Sequence, residues 1–353
     1  MSNLFTRLLN ERPYLLADGA LGTNLFKMGL QTGDAPELWN TDYPERIQEL
    51  AQQFIDAGSD ILLTNSFGGT RYRLKLHNAQ DRVDELNAKS AQLLKELANA
   101  SDRDIVVAGS MGPTGEILVP AGTLTFEDAY DAFKEQAEAL KAGGVDVLWI
   151  ETISDATEAK AAYDAAASTG LPVVYTMSID TNGRTMMGVT PSDLIKLSTE
   201  LDHPPGACGT NCGIGASEVV AAIMNMKNAA EQQQTDPVLV AKANCGIPEY
   251  VDGKIVYSGT PELMAQYARL VRDAGAKIIG GCCGTSPEHI AAMRDSLEGY
   301  EPGTAPDIET LEAQLGPITQ GAKAQLGGDL SVAGGSLSGG GRERRSRRGA
   351  RKS

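Results

Sequence analysis

Eight short apolar runs, alternating with amphipathic stretches from residue 14 to about residue 297, predict a (β/α)8 TIM barrel. Two further observations agree. Several amphipathic stretches end in the same glycine signal, and eight strand–helix units in about 290 residues match the ~250 residues that such a barrel takes. An open, doubly wound sheet is the alternative. It usually has fewer strands, and the one glycine-rich stretch that might hold a dinucleotide, around Gly213 and Gly215, lacks the third glycine of that fingerprint.

The strands follow in order as YLLADGA (14–20), ILLTNSF (61–67), IVVAGSM (105–111), VDVLWIET (145–152), VVYTMSI (173–179), ACGTNCG (207–213), VLVAKANCG (238–246) and KIIGGCCG (277–284). Continuous apolar runs of this length suit a parallel sheet covered by helices. PERIQELAQQFIDAG shows the helical period, with Ile47, Leu50, Ala51, Phe54 and Ile55 on one face. DAGSD, KAGGVD and DAGAK each place a glycine just past a helix, where a left-handed cap is needed before the next strand. The barrel is assigned to residues 1–300. A short extension follows over 301–326, with one helix candidate, IETLEAQL, and then a flexible Gly-rich linker and basic tail over 327–353 that is expected to be disordered.

Of 353 residues, 42% are apolar and 22% charged, as in a soluble globular protein. No apolar stretch is long enough to span a membrane and no signal peptide is recognisable, so a cytoplasmic location without a membrane partner is expected. The net charge of −15 hides an asymmetry, because residues 342–353 hold seven bases and one acid. The remainder carries 24 bases against 45 acids. An acidic body of this kind argues against nucleic acid as the main partner.

In a barrel the chemistry gathers at the C-terminal ends of the strands. Here those ends are rich in thiols: Cys212 ends the sixth strand, Cys245 the seventh, and Cys282 with Cys283 the eighth. Adjacent cysteines on a regular strand point to opposite faces, so Cys282 and Cys283 converge only if the backbone leaves the extended form, for which Gly280, Gly281 and Gly284 give freedom. With Cys212 they make three thiolates, the count of a zinc site that keeps one position open. A vicinal pair at a strand end can equally be buried and inert. An open position on such a zinc suits a substrate that is itself a thiol. The three histidines are few for a metal site of another kind, and His289 reads as a surface residue in the first turn of a helix.

These residues resemble the homocysteine S-methyltransferase family. The resemblance covers residues 10 to 298 and rests on ADGALGTNL (17–25), LLTNSFGGT (62–70), GSMGPTG (109–115), IETISDATEAKAA (150–162), GTNCGIGASE (209–218) and GGCCGTSPEHI (280–290). It implies a zinc-bearing barrel that methylates homocysteine to methionine, with Cys212, Cys282 and Cys283 as ligands. It also implies that Asp18, Gly19 and Glu151 hold the amino acid end of homocysteine, and a carboxylate is a natural partner for that ammonium. Cys245 departs from the family's pattern and is read as a packed thiol.

The family draws its methyl group from several donors. The folate, cobalamin and reactivation modules of methionine synthases find no room here beside one barrel, and the opening ADGALGTNLFKMGLQTGDAPELWN is similar to bacterial betaine–homocysteine methyltransferases. The resemblance therefore implies homocysteine and a small donor, glycine betaine, as partners. A quaternary ammonium favours aromatic faces, and Trp39, Tyr43, Phe67 and Tyr72 are the candidates for its pocket. The tyrosines of the animal betaine enzymes correspond here to Gly68 and Thr152, so that cage does not transfer. S-methylmethionine, another sulfonium or a separate methylcorrinoid protein are the alternative donors. A zinc-stabilised binding module is the alternative from another class, and it requires a closed metal site.

Overall fold

A computed structural model describes residues 3–180, 182–246, 248–251 and 254–329, with backbone alone for 248–251 and 254–256. Eight parallel strands form the barrel: β1 (Leu15–Leu16), β2 (Ile61–Leu63), β3 (Val106–Met111), β4 (Val147–Ile153), β5 (Val173–Met177), β6 (Ala207–Cys212), β7 (Leu239–Ala243) and β8 (Ala276–Gly281). Each strand pairs with the next in sequence from β2 to β8, and β8 pairs with β1 through Leu15 and Ile278. A parallel bridge between Ala17 and Ile61 joins β1 to β2, with the Asp18 amide donating to the Ile61 carbonyl at 3.0 Å. The (β/α)8 barrel predicted by the apolar runs is therefore the fold. The glycines after three helices take the left-handed cap conformation, with φ of +99° at Gly58, +100° at Gly144 and +106° at Gly275.

The two-residue period of each strand divides the core. Leu15, Ala17, Ile61, Val106, Ala108, Val147, Trp149, Val174, Ala207, Val240 and Ile278 fill the barrel. The residues between them, such as Leu148, Tyr175, Cys208 and Ala241, pack outward against the helices. An N-terminal helix, Leu4–Glu11, is not marked by any of the barrel repeats. Its Phe5, Leu8 and Leu9 join the interior cluster and close the end of the barrel where the strands begin. Burying each of these side chains is worth about 1.5–3 kcal/mol.

Two other elements depart from the sequence reading. Pro248–Val251 and Lys254–Tyr257 form an antiparallel hairpin after β7, where only a strand-to-helix loop was expected. The extension carries the expected helix, Ile308–Leu315, and a second one, Gln320–Leu326. This second helix is fastened to the loop after β5: the Gly321 amide donates to Asn182 Oδ1 at 2.6 Å, and Gln325 Nε2 donates to the Gly183 carbonyl at 2.9 Å. The linker beyond Asp329 and the basic tail lie outside the described residues. Among the described residues, no helix is long and apolar enough to cross a membrane.

Candidate active site

The strand period sets which side chains crown the apolar barrel interior. Counting inward positions upward from Ala108, Trp149, Val174, Ala207 and Val240 leads to Ser110, Glu151, Thr176, Asn211 and Lys242, a polar layer above the apolar ones. Above it opens a cavity of about 450 Å³, lined among others by Gly19, Glu37, Phe67, Arg73, Glu151, Cys212, Cys282 and Cys283.

The same count points Cys212 away from the barrel. Its backbone does not continue the strand, however, and turns left-handed at φ +62°, which carries the thiol back toward β8. A left-handed non-glycine residue costs about 1–2 kcal/mol. Asn244 Nδ2 helps hold the turn by donating to the Gly213 carbonyl at 2.8 Å. The chain also leaves the extended form after Gly281. The Cys282 amide donates to the Ala243 carbonyl at 2.7 Å, the Cys283 amide to Asn244 Oδ1 at 3.0 Å, and the Thr285 amide to the Cys282 carbonyl at 3.1 Å. Asn244 thus holds both thiol-bearing turns at once.

In consequence the three sulfurs meet. Cys212 Sγ lies 3.1 Å from Cys282 Sγ and 3.9 Å from Cys283 Sγ. Among the described residues no other group of three or more metal-ligating side chains converges in this way. A tetrahedral zinc with bonds of about 2.3 Å needs sulfurs about 3.8 Å apart. The longer separation already meets that need, and the shorter one must open by about 0.7 Å. Three thiolates could not crowd together without a cation: hydrogen bonds from Cys212 and Cys282 hold Cys283 down to about 3, and Cys212 is pushed up by its bonds to the other two thiols and by burial. The donor set, its partial burial and its charge conflict all fit a thiophilic divalent ion.

Glu151 is 8% exposed and accepts a 2.5 Å hydrogen bond from Ser110 Oγ. Burial pushes its carboxyl up to about 7, against the pull of Lys242. Asp18 is placed differently. Its Oδ1 pairs with Lys242 Nζ at 3.0 Å and its Oδ2 accepts the Leu63 amide at 2.8 Å, so the carboxylate is buried below the cavity wall and not part of it. Gly19 does line the wall, and a Cβ there would sit 2.6 Å from the Thr285 carbonyl, so only glycine lets the two segments approach.

Of the four aromatic candidates for the donor pocket, only Phe67 lines the cavity. Trp39 is 6% exposed within the outer core and lies 5.0 Å from Tyr43 between ring centroids, with the Arg46 guanidinium over both rings. Tyr72 is half-buried and packs against the same outer core. The segments after β1 and β2 turn Trp39 and Tyr72 to the outer core and leave Tyr43 exposed under Arg46. Phe26, from the same ADGALGTNLF stretch, is the second aromatic on the wall.

His289 is not the surface residue that its place in a first helical turn suggests. Its Nε2 lies 3.1 Å from Cys245 Sγ and 3.2 Å from the Gly259 carbonyl, and its Nδ1 is 2.8 Å from Ser286 Oγ. Cys245 is buried, and burial raises its thiol to about 11.

Two residues that support the site have no role assigned from the sequence, where Asn211 is marked only as a polar residue at the end of the sixth strand. Asn211 Oδ1 accepts from the Thr152 amide at 2.9 Å and from Thr176 Oγ1 at 2.6 Å, and its Nδ2 donates to Thr152 Oγ1 at 2.7 Å. It ties β4, β5 and β6 together beside Cys282. Lys242 is the other, and the count from Val240 was the signal for it. A lysine at an inward position of an apolar strand needs a buried anion.

Residues 15–297 match the family model described as homocysteine S-methyltransferase. Among solved structures, the fold is similar to the homocysteine methyltransferase MmuM from Escherichia coli. The metallated form gives a TM-score of 0.68 at 24% identity, and the oxidized form 0.67 at 25%. Each alignment covers 83% of this chain and 99% of the other.

Proposed function

The chain belongs to the homocysteine S-methyltransferase family, and on that premise we propose that it moves a methyl group from glycine betaine to the thiol of homocysteine on a zinc ion. The observation that carries this reading is the convergence of Cys212, Cys282 and Cys283 beside Glu151 on one cavity wall. The three thiolates would hold the ion and leave its fourth position to the substrate. When bound, zinc supplies the charge that lets a thiol of ordinary pKa about 8.5 persist as a thiolate at neutral pH.

The protein's own residues do the rest. Glu151, held by Ser110, offers a carboxylate to the homocysteine ammonium, and Gly19 leaves room for the amino acid end. Asp18 acts indirectly by neutralising Lys242, which lines the cavity. The donor's cation takes the faces of Phe67 and Phe26. A sulfur lone pair then forms the new S–CH3 bond as the CH3–N bond breaks, and its electron pair leaves on the nitrogen of dimethylglycine. No proton moves in that step, so the barrel's contribution is to align sulfur, carbon and nitrogen.

The test is an assay for methionine with zinc-loaded protein, homocysteine, and betaine, S-methylmethionine, dimethylsulfoniopropionate or methylcobalamin in parallel. Betaine turnover with dimethylglycine formed in equal amount is expected. Turnover with another donor alone would refute the choice of betaine, and turnover with none would refute the reading as a whole.

A further inference from the structure

We infer that Arg73 is the anchor for the carboxylate of the methyl donor, which makes this a site for onium carboxylates; the inference rests on the small-donor reading above. Arg73 lies in the short helix Arg71–Lys75 after β2 and is half-buried on the cavity wall. Its neighbours are engaged: Arg71 binds Glu135 through two hydrogen bonds of 2.8 and 2.7 Å, and Arg82 binds Glu85. Among the described residues, the Arg73 guanidinium makes no ion pair or hydrogen bond. Glu37 is the nearby acid, but its carboxylate is turned to the Gly68 amide at 2.6 Å. The structure thus presents a cation with several free donors to the cavity, where a planar anion would satisfy them in pairs.

The room for this side chain is built in. Gly115, in the loop after β3, has φ +82°, and a Cβ there would lie 3.1 Å from Arg73 Nη1 and 3.2 Å from its Cδ. Strand order sets the direction. The loop after β2 stands across the barrel from β6, whose end carries Cys212, so an anion on Arg73 is held at the side of the cavity facing that strand. A donor with a carboxylate at one end and a methylated cation at the other spans that gap in one orientation, with its methyl group toward the sulfur. Homocysteine is the other carboxylate in the reaction, and its amino acid end is assigned to Glu151 on β4 and Gly19 just after β1.

The experiment compares wild type, Arg73→Lys and Arg73→Met, each zinc-loaded. Arg73→Met is expected to raise the KM for betaine about tenfold or more, with Arg73→Lys in between, while the KM for homocysteine and the zinc content stay within twofold of wild type. Calorimetry gives a readout that needs no variant to fold: dimethylglycine should bind wild type at least about tenfold more tightly than dimethylaminoethanol, which has the same shape without the carboxylate. An unchanged betaine KM in Arg73→Met, equal binding of the two amines, or a raised homocysteine KM in place of the betaine effect would each overturn the assignment. If wild type uses S-methylmethionine and not betaine, the choice of betaine fails while the same comparison with S-methylmethionine still decides Arg73. Turnover from methylcobalamin alone would overturn both.

Discussion

Lys242 Nζ and Asp18 Oδ1 form an ion pair of 3.0 Å with both side chains 2% exposed, directly beneath the thiol cluster. Burial disfavours the ammonium, but Asp18, Glu151 and Cys282 outweigh it and raise the lysine above its usual range. The ring of Trp149 lies 5.7 Å below the same nitrogen. A fixed positive charge therefore stands beside two carboxyl groups and a thiol of the site, those of Asp18, Glu151 and Cys282.

Removing one member of a buried pair leaves the other without compensation, which typically costs 3–5 kcal/mol. Lys242→Met should lose about that much stability by denaturant unfolding, and Asp18→Asn with Lys242→Met should recover most of it. A single variant as stable as wild type would show that the pair carries no such weight.

The three thiols should act as one site. Cys212→Ala, Cys282→Ala and Cys283→Ala are each expected to lose zinc, measured by elemental analysis after dialysis, whereas Cys245→Ala should retain it, because that thiol faces His289 and Gly259. Chelation of wild type should abolish methionine formation, and added zinc should restore it. Zinc retained by all four variants would refute the site.

Glu151 gives a pH dependence whose sign can be worked out. Its carboxyl titrates near 4.5 in the unfolded chain and at about 7 in the metal-free fold, where burial raises it. Below 4.5 both states hold the proton and there is no effect. Between 4.5 and 7 the unfolded state releases it first, so stability falls as pH rises, by about 3 kcal/mol in full above 7. Glu151→Gln should therefore stabilise the metal-free protein at pH 8 and leave it nearly unchanged at pH 4. A stabilisation that is the same at both pH values would rule out this origin.

Asn211 joins three strand ends through one amide. Asn211→Ala strands the Thr152 amide, leaves the Thr176 hydroxyl only the Ile150 carbonyl at 3.3 Å, and frees the left-handed residue Thr152 beside Glu151. A loss of about 1–3 kcal/mol in stability and of about 10–100-fold in zinc affinity is expected, from unfolding and from competition with a chelating dye.

Much of this was legible in the residues because a barrel repeats one physical pattern eight times. Continuous apolar runs marked every strand, and the glycines after helices marked their ends. The N-terminal helix escaped because it stands outside the repeat and shows its apolar face only through Phe5, Leu8 and Leu9. The hairpin after β7 escaped because its two strands are four residues each and carry no long apolar run. The thiols could be brought together by asking where each strand ends. The aromatic residues could not, since loops set their direction: Phe26 reaches the cavity while Trp39 and Tyr43, from the same loop, pack under Arg46. Lys242 lay in plain view, and the two-residue count from Val240 places it inside the barrel.

The helix that seats Phe5, Leu8 and Leu9 in the base of the barrel turns the interior into a well with a single opening. Traffic is then confined to one mouth: whatever binds against the thiols and Glu151 and whatever binds beside Phe67 and Arg73 share the same way in and out.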